Sequence, residues 1–135
     1  DHYKASDDWL MNVGVKTIRD YESQGLDLTD VQHKYGTVDP MGIGRVVQQR
    51  LVDYLSHGTM VALEIEGNGA IAKVRKLIGF TIPAQAEPGT IRGDFGSDST
   101  VNAAEERRSM ENLVHASDSE DTARMELRLW FDSSS

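Results

Sequence analysis

The chain has 135 residues, with 14 Lys plus Arg against 22 Asp plus Glu for a formal charge of −8, and it contains no cysteine. The missing cysteine excludes a disulfide framework, a thiol nucleophile and a thiolate metal site. The acidic balance argues against a general affinity for nucleic acid or anionic membrane, and no run of about 18 apolar residues offers a membrane span.

In chain order, Trp9 to Tyr21 reads as an amphipathic helix. Leu10, Val13, Thr17, Ile18 and Tyr21 recur at helical spacing, Gly14 weakens the pattern and Gly25 is a stop. Residues 25–38 read as polar and irregular. Asp39-Pro40 has the form of an N-cap followed by proline at the first helical position. Ile43, Val47, Leu51 and Leu55 make one stripe that ends at Gly58. Met60 to Glu66 alternates apolar and polar residues, the pattern of a half-buried strand. Asn68 is a candidate cap for a helix with Ala70, Ile71, Val74, Leu77 and Ile78 on its buried side, closed by Gly79. Residues 80–99 carry two prolines and three glycines among polar residues and read as a long loop, a kind of segment that often carries function. A short helix is expected over 102–110, a helix capped by Ser119 over 120–126, and a closing strand over 127–131. Residues 133–135 are a serine tail. The element order predicts an α+β fold, but two strands are too few for a stable sheet.

Four features carry chemistry. They are Pro88 to Phe95 in the loop; Asn112 to Ser119 around His115; Arg75 with Thr81 at a helix end; and Glu126 ahead of Leu129-Trp130-Phe131. Arginines have forked donors suited to phosphate oxygens, and the glycines beside Arg92 let backbone approach a ligand. His115 suits a nucleophile or a base, and equally a structural residue entering a turn. His2, His33 and His57 read as structural.

Residues 58–131 closely resemble nucleoside diphosphate kinase. The resemblance lies in Arg75-Lys76-Leu77-Ile78-Gly79-Phe80-Thr81, Pro88-Gly89-Thr90-Ile91-Arg92-Gly93-Asp94-Phe95 and Asn112-Leu113-Val114-His115-Ala116-Ser117-Asp118-Ser119, followed by Glu126 and Leu129-Trp130-Phe131. Upstream, His2-Tyr3 and Leu51 to Ser56 are similar to further family segments. Insertions at about 4–46 and 96–109 resemble a longer subgroup. Thr59, Ala116 and Val47 stand where the family usually has proline, glycine and an aromatic residue, and nothing matches its Lys-Pro-Asp motif.

The resemblance implies a ferredoxin-like αβ sandwich with an antiparallel sheet. It makes residues 1–135 the C-terminal portion of one domain whose first strand, helix and second strand are not in the chain. It implies transfer of a γ-phosphoryl group from a nucleoside triphosphate to a nucleoside diphosphate by ping-pong, with His115 as nucleophile, Glu126 holding its imidazole and Ser117 supporting the pair. Arg75, Thr81 and Arg92 would hold phosphate oxygens, Asn112 the sugar hydroxyl and Leu51 the base, with Tyr3 close to the phosphohistidine. Mg²⁺ would travel with the phosphates, without protein metal ligands. A cytoplasmic homo-oligomer, a hexamer or a tetramer built from dimers, is implied as well. The alternative is a non-catalytic nucleotide-binding or structural chain that keeps the later motifs.

Overall fold

A computed structural model describes residues 5–131, so Tyr3, His2 and the serine tail lie outside the described residues. The described residues form two compact units: residues 5–59 with 103–109, and residues 60–102 with 110–131. None of the helices among the described residues is long and apolar enough to cross a membrane.

The first unit is helical. Helix α1 spans Asp7–Ser23, with the Ser6 hydroxyl accepting from the Trp9 amide and Asp7 and Asp8 at the positive end of the helix dipole. Helix α2, Leu28–Tyr35, falls in the stretch read from sequence as irregular. Its start is a reciprocal capping box: Asp27 accepts from the amide of Asp30, whose own carboxylate accepts from the Asp27 amide. Gly36, in the left-handed conformation, ends it. Helix α3, Pro40–Ser56, begins as expected, with Asp39 accepting from the Gly42 amide and proline in the first turn.

Leu10, Val31, Ile43 and Ala103 are the buried apolar side chains of this unit. Helices α1 and α3 cross at backbone contact. A methyl group on Gly14 would stand 1.8 Å from the Pro40 carbonyl oxygen, and one on Gly44 would stand 2.1 Å from that of Leu10. Gly14, which weakens α1 by propensity, is therefore what lets the helices meet. Arg50 donates to the Lys34 carbonyl and lies over the Tyr35 ring, 5.0 Å from its centroid. Tyr35 in turn meets Tyr21 edge-on, and burial first, then the neighbouring Tyr35, pushes the Tyr21 hydroxyl up to about 12.

In the second unit the expected sheet is absent. No strand occurs among the described residues, which corrects the α+β ferredoxin-like expectation. Residues 60–66 have the alternation of a strand but no ladder partner, and Val61, Leu63 and Ile65 are 55–79% exposed. A strand is stabilised only by what it pairs with and packs on. Residues 127–131, expected as a closing strand, instead continue helix α7 from Glu120 to Phe131. With no neighbour to hydrogen-bond, a helix satisfies its own backbone.

Helix α4 spans Ala70–Ile78. Its N-cap is Gly69 in the left-handed conformation without a side-chain cap, so Asn68 does not serve. Ile78 is buried on α4, whereas Leu77 is 56% exposed. The stretch read as loop contains a 3-10 turn, Pro83–Gln85, and a short helix α5, Ile91–Phe95, capped by Thr90. Helix α6, Thr100–Glu105, starts slightly earlier than expected. Asp98 accepts from the Ser99 and Glu111 amides, so one carboxylate closes the neck of the second insertion.

The glycine crossing generates a prediction whose sign opposes helix propensity. Exposed Gly to Ala in a helix is worth about 1 kcal/mol of stabilisation. Here Gly44→Ala drives a methyl into a backbone carbonyl, and overpacking of this kind costs about 1–3 kcal/mol or more. Urea unfolding followed by helical circular dichroism should show a lower midpoint for Gly44→Ala and for Gly14→Ala. A raised midpoint would mean that the helices do not cross there.

Candidate active site

The segment 112–119 has no regular secondary structure and enters helix α7 at Glu120. It is held at its C-terminal end by the Ser119 side chain, at its N-terminal end by a main-chain hydrogen bond, and along its length by two arginines. At the C-terminal end, the Ser119 hydroxyl accepts from the Thr122 amide. Asp118 is fully exposed, and its carboxyl is held below the usual carboxylate range, first by the Thr122 hydroxyl and less by Ser119. At the N-terminal end, the Val114 amide donates to the Asn112 carbonyl at 2.8 Å across Leu113, which sits at φ 68°. That is a three-residue turn centred on a left-handed leucine, a conformation that costs about 1–3 kcal/mol and that the surroundings must impose.

Between these anchors stands His115. Its Nε2 lies 2.6 Å from Glu126 Oε1, and Ser117 donates its hydroxyl to the other carboxylate oxygen at 2.5 Å. Helix α7 supplies Glu126, whose side chain is only 18% exposed, whereas that of His115 is 69% exposed. An ionised carboxylate can only accept, so Nε2 carries the proton and Nδ1 is left as the ring nitrogen with a free lone pair. The ring is fixed through one nitrogen, and its other nitrogen is open.

Arginines hold the carbonyls on alternate residues around it. Arg75, from the last turn of α4, donates through Nη1 to the Ala116 carbonyl at 3.1 Å. Arg92, on α5, donates through Nε to Asn112 at 3.1 Å, through Nη2 to Val114 at 2.6 Å and through Nη1 to Gly79 at 3.1 Å. Arg92 is 4% exposed, and among the described residues no carboxylate pairs with it. Burial, and after it the nearby Arg75 charge, lowers the pKa of its guanidinium.

The structure thus joins His115, Glu126 and Ser117 directly and attaches Arg75 and Arg92 to the same loop. Thr81 lies two residues after Gly79, whose carbonyl Arg92 holds, and is exposed. Asn112 enters through its main chain. Leu51 stands on α3 of the helical unit, 37% exposed. A shallow open groove of about 530 Å³ is lined by Gly67, Gly69, Ile71, Arg75, Asp118 and Glu120 among others. Arg75 is thereby shared between this groove and the His115 loop. The carbonyl contacts of both arginines were not legible in the sequence. The turn at Leu113 was not legible either, since leucine gives no sign of a positive φ.

The depressed Asp118 carboxyl fixes the sign of one pH effect. A folded-state pKa below the ordinary 3.8 contributes stability at higher pH, and that stability is lost as pH falls through the folded value. Unfolding free energies of the wild type and Asp118→Asn should differ above about pH 4 and converge below it. A difference that persists in acid would assign the effect to something other than this charge.

The family model for nucleoside diphosphate kinase matches residues 42–135. The nucleoside diphosphate kinase of Pyrobaculum aerophilum is 46% identical over 129 residues, which is 96% of this chain and 69% of the relative. That of Methanocaldococcus jannaschii is 42% identical over 88 residues, 65% of this chain and 56% of the relative. That of Prochlorococcus marinus strain AS9601 is 49% identical over 81 residues, 60% of this chain and 47% of the relative. The crystal structure of the NDP kinase from Pyrobaculum aerophilum superposes with a TM-score of 0.79 at 42% identity, covering 96% of this chain and 70% of that one. The chain therefore spans between about half and somewhat more than two thirds of the length of these relatives.

Proposed function

The chain belongs to the nucleoside diphosphate kinase family, and we propose that it moves the γ-phosphoryl group of a nucleoside triphosphate to a nucleoside diphosphate through a phosphohistidine at His115. One observation carries this reading: His115 is held through Nε2 by Glu126, itself held by Ser117, which leaves Nδ1 open on an exposed ring.

In the first half-reaction Nδ1 attacks the γ-phosphorus. The bond from phosphorus to the β,γ-bridging oxygen breaks as the phosphorus–nitrogen bond forms, and the nucleoside diphosphate leaves with the electron pair. The imidazole gains positive charge as it attacks, and the carboxylate on Nε2 offsets it. A second diphosphate then attacks the phosphohistidine and regenerates the free ring. Phosphoryl transfer asks mainly for in-line placement and charge neutralisation, which a fixed ring beside cations provides.

Arg75 and Arg92 are read as cations for phosphate oxygens, a reading supported for Arg75 by its exposure and its position at the groove. Thr81 is read as another phosphate contact, Asn112 as the sugar contact, and Leu51 and Tyr3 as parts of the nucleotide site. Among the described residues no group of three or more imidazoles and carboxylates could hold a metal. Mg²⁺ belongs to the same reading, carried on phosphate oxygens and water, where it would neutralise phosphate charge. Association into a homo-oligomer belongs to the same reading, supported by the exposure of Val61, Leu63, Trp130 and Phe131. No specific observation favours a binding-only chain, which has no use for the His115–Glu126 bond.

Incubation with a γ-labelled nucleoside triphosphate and Mg²⁺ should yield an acid-labile, base-stable phosphoprotein, and added nucleoside diphosphate should discharge it. His115→Ala should abolish the label, and Glu126→Gln should slow its formation by about 10²-fold, in the range of a positioned proton-holding group. A label that survives in His115→Ala would remove His115 as acceptor.

A further inference from the structure

Asn68 is expected from the sequence to cap α4, and the structure does not use it so. Asn68 and Gly69 instead form the middle of a β-turn, which the Ala70 amide closes on the Gly67 carbonyl at 3.1 Å. Gly69 is at φ 66° and ψ 29°, the left-handed conformation that glycine allows at the third position of a turn, and no side chain caps it. In a β-turn the amide of the fourth residue donates to the first, and that of the third is left to solvent. The Gly69 amide accordingly has no acceptor among the described residues, and the Asn68 side chain has no hydrogen-bond partner there either. Gly67, Asn68 and Gly69 are all exposed. A methyl group added to Gly67 or to Gly69 would meet nothing within 4 Å, so the turn has open space on both sides of Asn68.

These are the requirements of one intramolecular reaction. An amide nitrogen free of an acceptor can give up its proton to solvent. An asparagine side chain free of partners can turn its carbonyl carbon toward that nitrogen. Glycine in the next position has no Cβ to block the approach.

We propose that Asn68 is a self-modification site: the Gly69 main-chain nitrogen attacks the Asn68 side-chain carbonyl carbon, and water then completes the conversion of the amide to a carboxylate. In the first step the Gly69 nitrogen loses its proton to solvent and bonds to Cγ. The bond from Cγ to the side-chain nitrogen breaks, and ammonia leaves with the electron pair and a proton from solvent. A five-membered succinimide ring remains. In the second step water adds to either ring carbonyl, the ring bond from that carbon to nitrogen breaks, and the proton returns to the Gly69 nitrogen. Opening at Cγ gives aspartate. Opening at the main-chain carbon gives isoaspartate, whose chain runs through Cβ and Cγ and is one methylene longer. One water is consumed and one ammonia released, and neither His115 nor a nucleotide takes part.

Either product takes the formal charge from −8 to −9. Gly67 and Gly69, on either side of Asn68, line the groove that Arg75 borders with Asp118 and Glu120. The new carboxylate thus falls at the edge of a groove that already has two carboxylates to one arginine. The other asparagines lack the conditions met at Asn68: Asn12 and Asn102 lie within α1 and α6, and Asn112 is followed by leucine.

Peptide mapping by mass spectrometry tests this on the full chain held in warm, mildly alkaline buffer. Conversion of amide to acid at Asn68 should run at least about tenfold faster than at Asn12, Asn102 or Asn112, because only there is the attacking nitrogen a glycine's. Both aspartate and isoaspartate peptides should appear, and in water enriched in oxygen-18 each should carry one heavy oxygen. The same incubation in urea should raise the rate at Asn68 by less than about threefold, since the folded turn already leaves the amide and the side chain free. A larger rise in urea would show that the folded turn protects Asn68, and a native rate less than about tenfold above those of the other asparagines would show that the turn confers no reactivity; either result overturns the proposal. Gly69→Ala, compared with the wild type in urea so that folding has no bearing, should slow the conversion by about tenfold or more. An unchanged rate there would remove the Gly69 nitrogen as the attacking atom.

Discussion

The second unit depends on one buried cation. Arg92 gives hydrogen bonds to carbonyls from the end of α4 and from both residues that flank Leu113. Hydrogen bonds from a charged donor are each worth about 1.5–3 kcal/mol, and a buried carbonyl left without its partner costs about 1–3 kcal/mol. Without a carboxylate beside it, Arg92 depends on those carbonyls for its own solvation as much as they depend on it. The loop that carries Arg92 is built to deliver it. Thr90 caps α5 and donates to the Glu87 carbonyl, and the Gly89 amide donates to Asp94. Gly79 and Gly93 leave no room for a side chain: a methyl on Gly79 would lie 2.3 Å from the Thr90 hydroxyl oxygen, and one on Gly93 would lie 2.0 Å from the Glu87 carbonyl oxygen. Gly79 and Gly93 are thus accounted for by close packing around the loop that carries Arg92, whereas Gly89 has open space and a positive φ of 86°.

What the sequence made legible was local. Asp39-Pro40 announces the start of α3 because capping and proline chemistry act within one turn. Ser119 announces α7 for the same reason. The segment around His115 and, further on, Glu126 stand out in the sequence, and the structure places the two side chains 2.6 Å apart. What stayed hidden needed either a partner or a contact at a distance. Asp27 and Asp30 contain the signal for α2, an acidic capping box ahead of Val31, but in a polar stretch one buried valine is a weak periodicity. Alternation at 60–66 reports which residues could share a face, not whether a neighbouring strand exists. Residues 127–131 are aromatic and apolar enough for a strand, yet they also continue the helical run from Glu120, and in the absence of a ladder the helix prevails.

The strain at Leu113 and the exposure of His115 belong to one arrangement. A relaxed turn before His115 would let the segment 112–117 sample many ring positions. The three-residue turn shortens the approach, and the Ser117–Glu126 and His115–Glu126 bonds fix the far side. Energy held in the turn is thus compensated by contacts outside it, so the imidazole of His115 can be both exposed and ordered.

The two units differ in what gives them order, and that difference bears on the chemistry. The helical unit is ordered by buried apolar residues and a close glycine crossing, contacts that are many, individually weak and non-directional. In the unit with His115, the buried side chains among the described residues are Ile78, Pro83 and Arg92. Its order comes instead from a few directional hydrogen bonds, and these have narrow optima in distance and angle. Such a unit is poorly buffered: removing one donor leaves several acceptors without partners at once. It is correspondingly well suited to hold an imidazole in one orientation, because hydrogen bonds constrain direction where apolar packing constrains mainly volume. The loop around His115 gains its precision from the same contacts that leave it with little redundancy.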